Sequence, residues 1–163
     1  MFKKFYPDYK LKTIDDIDFD VFAEKGIGYV LLDIDNTLVA YTSPVADERA
    51  RNFLARLSKN GIKYAFVSNN HKERVEKFAE EFGVFYVYDS AKPLLFGIRK
   101  AMKHLGAEKN NTALIGDQVF TDVYGGNRAG LLTFMVEPIE AKETPFFGVK
   151  RKLEKIVLKN YKN

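Results

Sequence analysis

Tyr29-Val30-Leu31-Leu32-Asp33-Ile34-Asp35-Asn36-Thr37-Leu38 is the stretch on which the fold turns. It opens on an apolar, β-forming run, as a strand buried on both faces requires, and then breaks into two carboxylates and an amide. Short apolar runs of the same kind recur at 64–67, 84–88, 112–115 and 131–136, separated by longer amphipathic, charged segments. That rhythm predicts a doubly wound, Rossmann-like α/β fold: a five-stranded parallel sheet with helices on both faces. The period runs from 29 to 136 without a linker, repeat or low-complexity stretch, so a single domain over 1–163 is expected, with short helical extensions at its two ends.

The punctuation between the runs is helical. Ser43 followed by Pro44 suits an N-cap and first helical position, and Asn70 followed by Glu73 resembles a capping box. Gly83, Gly106 and Gly130 suit the residues just past three helix ends. Residues 14–25 read as a short helix with Ile14, Ile17 and Phe22 toward the core, and 145–161 as a basic amphipathic one.

Composition narrows the chemistry. Without cysteine, disulfides and thiolate zinc sites are excluded, and with only His71 and His104 so is a histidine-rich metal cluster; any metal is held by oxygen. The longest apolar runs fall far short of the roughly 18 residues a membrane span needs, and the Met1 start has no apolar segment resembling a signal peptide, so the expected location is cytoplasmic. The net charge of +4 is uneven: residues 1–12 carry +3 and 147–163 carry +5, leaving −4 on the body between them. Basic, aromatic-bearing ends suit an anionic surface or partner, although solvated termini give the same pattern.

In a parallel sheet with right-handed crossovers every strand delivers its C-terminal end to one edge, where ligands bind. Asp33 and Asp35 reach that edge from the first strand, Ser68, Asn69 and Asn70 from the second, Lys92 after the third, and Asp117 with Asp122 from the fourth. Four carboxylates near one lysine repel unless some protonate or a cation neutralises them. A donor set of oxygen alone, with room for waters and a phosphate, favours Mg²⁺ over Ca²⁺. Asp33 and Asp35 leave the strand on the same side, two residues apart at about 3.3 Å rise per residue, so one can attack while the other moves a proton. An Asx turn ending the strand is the plainer alternative.

Ser68 and Asn69 precede a helix whose first amides suit an anionic phosphoryl group, and the same residues suit capping. Lys92 suits neutralising a phosphoryl group or an aspartate, or plain solvation. Gly125, Gly126 and Gly130 suit helix packing and termination; Asn127 and Arg128 suit a substrate or a cap. His71 suits a substrate headgroup or the helix surface, and His104 is assigned nothing.

Taken in order, Asp33-Ile-Asp-Asn-Thr-Leu-Val39, Ser68, Lys92 and Gly116-Asp-Gln-Val-Phe-Thr-Asp122 resemble the four motifs of the haloacid dehalogenase phosphohydrolase superfamily. Tyr6-Pro-Asp-Tyr9, Thr13-Ile-Asp-Asp-Ile17 and Thr121-Asp-Val-Tyr-Gly-Gly-Asn-Arg-Ala-Gly130 resemble its YqeG-type branch in subfamily IIIA, a likeness covering roughly 5–140. The resemblance implies a phosphatase in which Asp33 is the nucleophile forming an aspartyl-phosphate and Asp35 the general acid and then base. It implies that Ser68 and Lys92 bind the phosphoryl group, with Asn69 a further substrate-binding candidate by its place before the helix. It further implies that Mg²⁺ is held by Asp33, the Asp35 backbone carbonyl and Asp117, with Asp122 behind them and Thr37 stabilising the loop. Some members of the branch are similar to phosphatidylglycerophosphate phosphatases, which implies a phospholipid substrate.

Length leaves no room for an inserted lid between Asp35 and Pro44, and a helix and a strand fill the segment from Asn69 to Lys92, so the enzyme is expected to be capless. An open site gives the basic ends a use: holding it against anionic lipid, as a peripheral protein at the inner face of the membrane. No nucleic acid partner is expected, although the same lysines attract any polyanion. A soluble sugar phosphate or nucleotide is the competing substrate. A phosphate-receiver module is the competing class, but its acceptor aspartate lies at the third strand, which here ends near Asp89. A non-catalytic scaffold on the same fold is the third reading.

Overall fold

The computed structural model describes residues 2–140 and 145–161. Six strands form one parallel sheet: β1 (Tyr9–Leu11), β2 (Tyr29–Leu32), β3 (Lys63–Val67), β4 (Tyr86–Val87), β5 (Thr112–Gly116) and β6 (Leu132–Val136), in the order β1-β6-β5-β2-β3-β4. Chain order runs outward from β2 to β4 on one side and from β5 to β6 on the other. The switch point therefore lies between β2 and β5, and the Asp33 and Asp117 that follow them meet there.

The sheet alternates its side chains between two cores. Val30 and Leu32 of β2 face a core built with Ile14, Phe22, Leu54 and Phe78, which covers the sheet with α1 (Phe19–Glu24), α2 (Glu48–Lys59) and α3 (Lys72–Ala79). Leu31, with Ala65, Val67 and Leu114, faces the other side, against Ile98 and Ala101 of α4 (Leu95–Leu105), beside which α5 (Tyr124–Ala129) packs. Burying the large side chains of these layers contributes about 1.5–3 kcal/mol each.

Several expectations change. The sheet has six strands rather than five, because the N-terminal extension contributes β1 at the edge. Tyr9 pairs with Phe134 and stacks on its ring at a centroid distance of 4.8 Å, while the Asp8 carboxylate accepts from the Thr133 amide at 2.8 Å. A three-residue strand held by one ring stack and one carboxylate has too short a pattern to read as a period. The first helix after β2 starts at Glu48 rather than Pro44, because Asp47 takes the cap by accepting from the Ala50 amide at 2.8 Å. Asn70 and Glu73 make no capping box: α3 starts at Lys72 after an uncapping His71, and the Asn70 amide is drawn instead to Asp35. Residues 14–25 divide into a 3-10 turn, Ile14–Asp16, and α1, because the Asp18 carboxylate starts a new helix; Ile14, Ile17 and Phe22 are buried as expected. Gly106 and Gly130 end α4 and α5 in the left-handed region, and Gly83 has the same sign of φ just beyond α3.

The last helix, α6 (Pro145–Leu158), lies across the C-terminal edge of β5 and β6. Among the described residues no helix is long and apolar enough to cross a membrane.

Candidate active site

Each site residue reaches the C-terminal edge for a local reason. The backbone turns sharply after β2, with Asn36 at φ 64° and the amides of Leu38 and Val39 returning to the Ile34 carbonyl. This leaves Asp33 pointing into the sheet edge and Asp35 out of it. After β4 the chain passes through two left-handed residues, Asp89 and Ala91, a conformation that costs on the order of 1–3 kcal/mol per non-glycine residue. Asn69 holds that turn: its side-chain oxygen accepts from the Lys92 amide at 2.8 Å and the Ser90 hydroxyl at 2.7 Å, and its amide donates to the Lys92 carbonyl at 2.9 Å. Lys92 is thereby delivered into the site from a rigid frame.

Its ammonium sits at the centre. Lys92 Nζ lies 2.8 Å from Asp33 Oδ1, 2.7 Å from Asp122 Oδ1 and 2.6 Å from the Val67 carbonyl. The Thr37 hydroxyl stands between Asp33 Oδ2 at 3.2 Å and Asp117 Oδ1 at 3.4 Å, and donates to one of them at a time. Asp122 hangs from a wide helical turn, Val119–Val123, and its Oδ2 accepts from the Gln118 amide at 3.1 Å. Gly116 makes room for it: a Cβ there would lie 2.3 Å from the Asp122 Cγ.

Electrostatics follow from burial. The Asp33 carboxyl is pushed up to about 7, chiefly by desolvation, with Asp122 and Asp117 adding to the effect and Lys92 opposing it. Asp117 rises to about 6 for the same leading reason, with Asp122 adding and Arg151 opposing. Burial alone would lower Lys92, but Asp122 and Asp33 on either side outweigh it and hold the ammonium above its usual range.

This cluster suits a cation. Carboxylate oxygens of Asp33, Asp117 and Asp122 lie within 4.8 Å of one another, and all three residues are buried. Asp122 Oδ1, although close to Lys92, accepts no aligned hydrogen bond in a place closed to water. Three buried carboxylates with no imidazole or thiolate among them match a hard divalent ion.

Asp35 lies outside the cluster. Its Oδ1 is gripped by Arg74 through Nε at 3.2 Å and Nη2 at 2.9 Å, and its Oδ2 accepts from the Asn70 amide at 2.9 Å. Arg74 is itself anchored on the Pro44 carbonyl at 3.1 Å. Ser68 is buried, and its hydroxyl accepts from the Asn70 backbone N–H at 3.0 Å. Asn69 is engaged with the Lys92 turn. His71 is exposed and pairs with Asp89, while His104 stacks on Phe85 away from the edge.

Two groups could not be read from local pattern. Arg74 meets Asp35 from 39 residues away, and only the fold brings them together. Arg151 reaches in from α6, donating to the Asp117 carbonyl at 2.9 Å and pairing with its carboxylate, and to Glu154 at 2.8 Å; Glu154 in turn accepts from the Val119 amide at 3.0 Å. The opposite charges three apart on α6 were the available signal, but they read equally as a solvated pair.

Residues 16–130 match the family model for haloacid dehalogenase-like hydrolases, and the chain belongs to that family. Within it the chain is an enzyme of the phosphatase type. It is 34% identical to the Probable phosphatase YqeG of Bacillus subtilis over 97% of this chain and 92% of that protein. It is 31% identical to Phosphatidylglycerophosphate phosphatase 1, chloroplastic/mitochondrial, of Arabidopsis thaliana over 95% of this chain, and spans 47% of that longer protein. Among solved structures it shares its fold with the 3-deoxy-D-manno-octulosonate 8-phosphate phosphatase of Moraxella catarrhalis, a complex with magnesium, phosphate and sugar. That likeness has a TM-score of 0.56 at 19% identity, covering 88% of this chain and 92% of that one.

Proposed function

We propose that this chain is a Mg²⁺-dependent phosphomonoester hydrolase that works through an aspartyl-phosphate, with phosphatidylglycerophosphate as its substrate. The observation that carries the chemistry is the single ammonium of Lys92 set 2.8 Å from Asp33 and 2.7 Å from Asp122 at the sheet's switch point. The name of the Arabidopsis relative supports the substrate.

An Asp33 carboxylate oxygen attacks phosphorus, and the bond from phosphorus to the leaving oxygen breaks. Asp35 gives its proton to that oxygen. It then takes a proton from the water that attacks phosphorus, releasing inorganic phosphate and restoring Asp33. Lys92 balances negative charge beside the nucleophile, and buried Ser68 borders the place of the phosphoryl oxygens. Asn69 acts by fixing the Lys92 turn. Arg74 grips one Asp35 oxygen through Nε and Nη2. Release of that grip frees the side chain to turn toward the leaving oxygen. A Mg²⁺ ion, held by Asp33, Asp117 and the Asp35 main-chain carbonyl with Asp122 alongside, would supply the positive charge that lets a phosphoryl group approach a carboxylate.

Phosphate release from phosphatidylglycerophosphate in mixed micelles, with Mg²⁺ or EDTA, beside a panel of soluble phosphoesters, tests the proposal. Turnover favouring the lipid and lost with EDTA supports it. Turnover of soluble esters alone keeps the chemistry and replaces the substrate, and silence on every ester overturns both.

A further inference from the structure

The last helix is turned the wrong way round for a soluble surface. In α2 the apolar row Ala50, Phe53, Leu54 and Leu57 is buried, as expected of an amphipathic helix on a core. In α6 three charged residues face inward beside the apolar Val157: Arg151 and Glu154 bind around Asp117 and Val119, and Lys150 reaches the Gln118 side chain. Its apolar row faces out. Phe146, Val149, Leu153 and Ile156 share one side of the helix and are 72%, 59%, 50% and 63% exposed.

The same edge of the sheet carries further exposed apolar side chains: Val45 ahead of α2, Tyr88 after β4, Leu94 and Phe96 just beyond Lys92, and Ile139 after β6. Among the described residues, Phe2 in the segment leading into β1 is the one exposed large apolar side chain ahead of a strand; none lies in the connections 25–28, 60–62, 80–85, 106–111 and 130–131. Apolar exposure is thus gathered around the mouth of the site. Apolar exposure concentrated on one side of a molecule marks a contact surface.

Charge selects the occupant. Lys152 and, just past the helix end, Lys159 border the outer row of α6, and its one acid, Glu154, is turned inward. Arg99 and Lys100 stand behind Phe96, lining a shallow basin with it. The row therefore presents only positive charge with its apolar side chains, the pattern of a helix lying in an anionic lipid interface. A second copy meeting this face by two-fold symmetry would set lysine rows against each other.

We propose that the catalytic edge is also a membrane-docking face, on which the outer row of α6 enters the interface of an anionic phospholipid surface and Leu94 and Phe96 form a second anchor beside Lys92. The proposal rests on the phosphatase reading only for its biological purpose; the docking face is defined by α6 and the rim alone.

The test is co-sedimentation of the full chain, carrying Asp33→Asn to prevent turnover, with vesicles of phosphatidylcholine alone or mixed with phosphatidylglycerol. Binding to the mixed vesicles at least about tenfold stronger than to the neutral ones is expected, falling as salt rises. In the same background Leu153→Ser with Ile156→Ser should lower it at least about tenfold. Placed in the otherwise unaltered chain, the pair should leave hydrolysis of p-nitrophenyl phosphate unchanged, which reports an intact fold and site. Equal binding to both vesicle types, or undiminished binding by the serine variant, overturns the proposal. So does a dimer in sedimentation velocity that the same substitutions dissolve. Because docking is read without turnover, its failure is separate from failure of the phosphatase reading.

Discussion

Asp33 and Asp35 are two residues apart at the end of one strand, yet they occupy opposite environments. Asp33 is buried among two other carboxylates, and desolvation together with their charge works against its ionised form while the Lys92 ammonium opposes them. Asp35, equally buried, stands apart from them between a guanidinium and an amide, with both oxygens accepting hydrogen bonds. Chain spacing places the pair, but the difference between them comes from three other strands and two helices. Surroundings that differ this much are what the proposed division into a nucleophile and a proton carrier requires of two like groups.

The comparison breaks first at Asp33. Asp33→Asn should lower phosphate release by at least about a thousandfold, since the amide is no nucleophile toward phosphorus and the proposed bond is lost. Normal turnover in that variant would move the chemistry elsewhere.

The inner cluster also leaves a signature in stability. Asp33 and Asp117 titrate above their unfolded values, so between about pH 4 and 7 the folded chain binds more protons than the unfolded one. Metal-free protein should therefore be most stable near pH 4 as far as these groups are concerned. It should lose a few kcal/mol as pH rises through 6 and 7, and then level off. Urea unfolding in EDTA across that range reads the slope, and Mg²⁺ should flatten it. A slope of the opposite sign would mean that the carboxylates are better solvated than their burial implies.

Away from the cluster the effects are smaller. Asp35→Asn should slow turnover about a hundredfold, the range of a lost general acid and base, while leaving the pH slope of stability in place. Arg74→Ala should lower kcat about tenfold with KM nearly unchanged, because Arg74 positions Asp35 and lies outside the inner cluster. An equal rise in KM would instead put Arg74 on the substrate.

The β2 run and its four companions carry enough apolar pattern to define the parallel sheet, and the sheet in turn places Asp33, Lys92, Asp117 and Asp122 at one edge. β1 escapes the same reading because three half-buried residues have no usable period; its pairing is decided by Tyr9 on Phe134 and by Asp8. Asn69 looks like a phosphate ligand by position, but three hydrogen bonds commit it to the Lys92 turn, and those depend on the left-handed backbone of Asp89 and Ala91. The moment of α6 is legible and its direction is not. An amphipathic pattern tells which residues share a side, whereas which side is covered depends on what Asp117 and Val119 offer from elsewhere in the chain.

That dependence sets the smallest effect and the most discriminating one. Arg151 neutralises Asp117, a residue that a divalent ion would also engage, so guanidinium and ion compete for one carboxylate. Arg151→Gln removes the competitor and leaves the site one unit more negative. Glu154 keeps its bond to the Val119 amide, so α6 retains a foothold. Calorimetric titration of Mg²⁺ into the substrate-free variant should show binding tightened a few-fold. If affinity falls instead, Arg151 builds the ion site by holding Asp117 in place, and α6 is part of the inner cluster rather than a neighbour pressed against it.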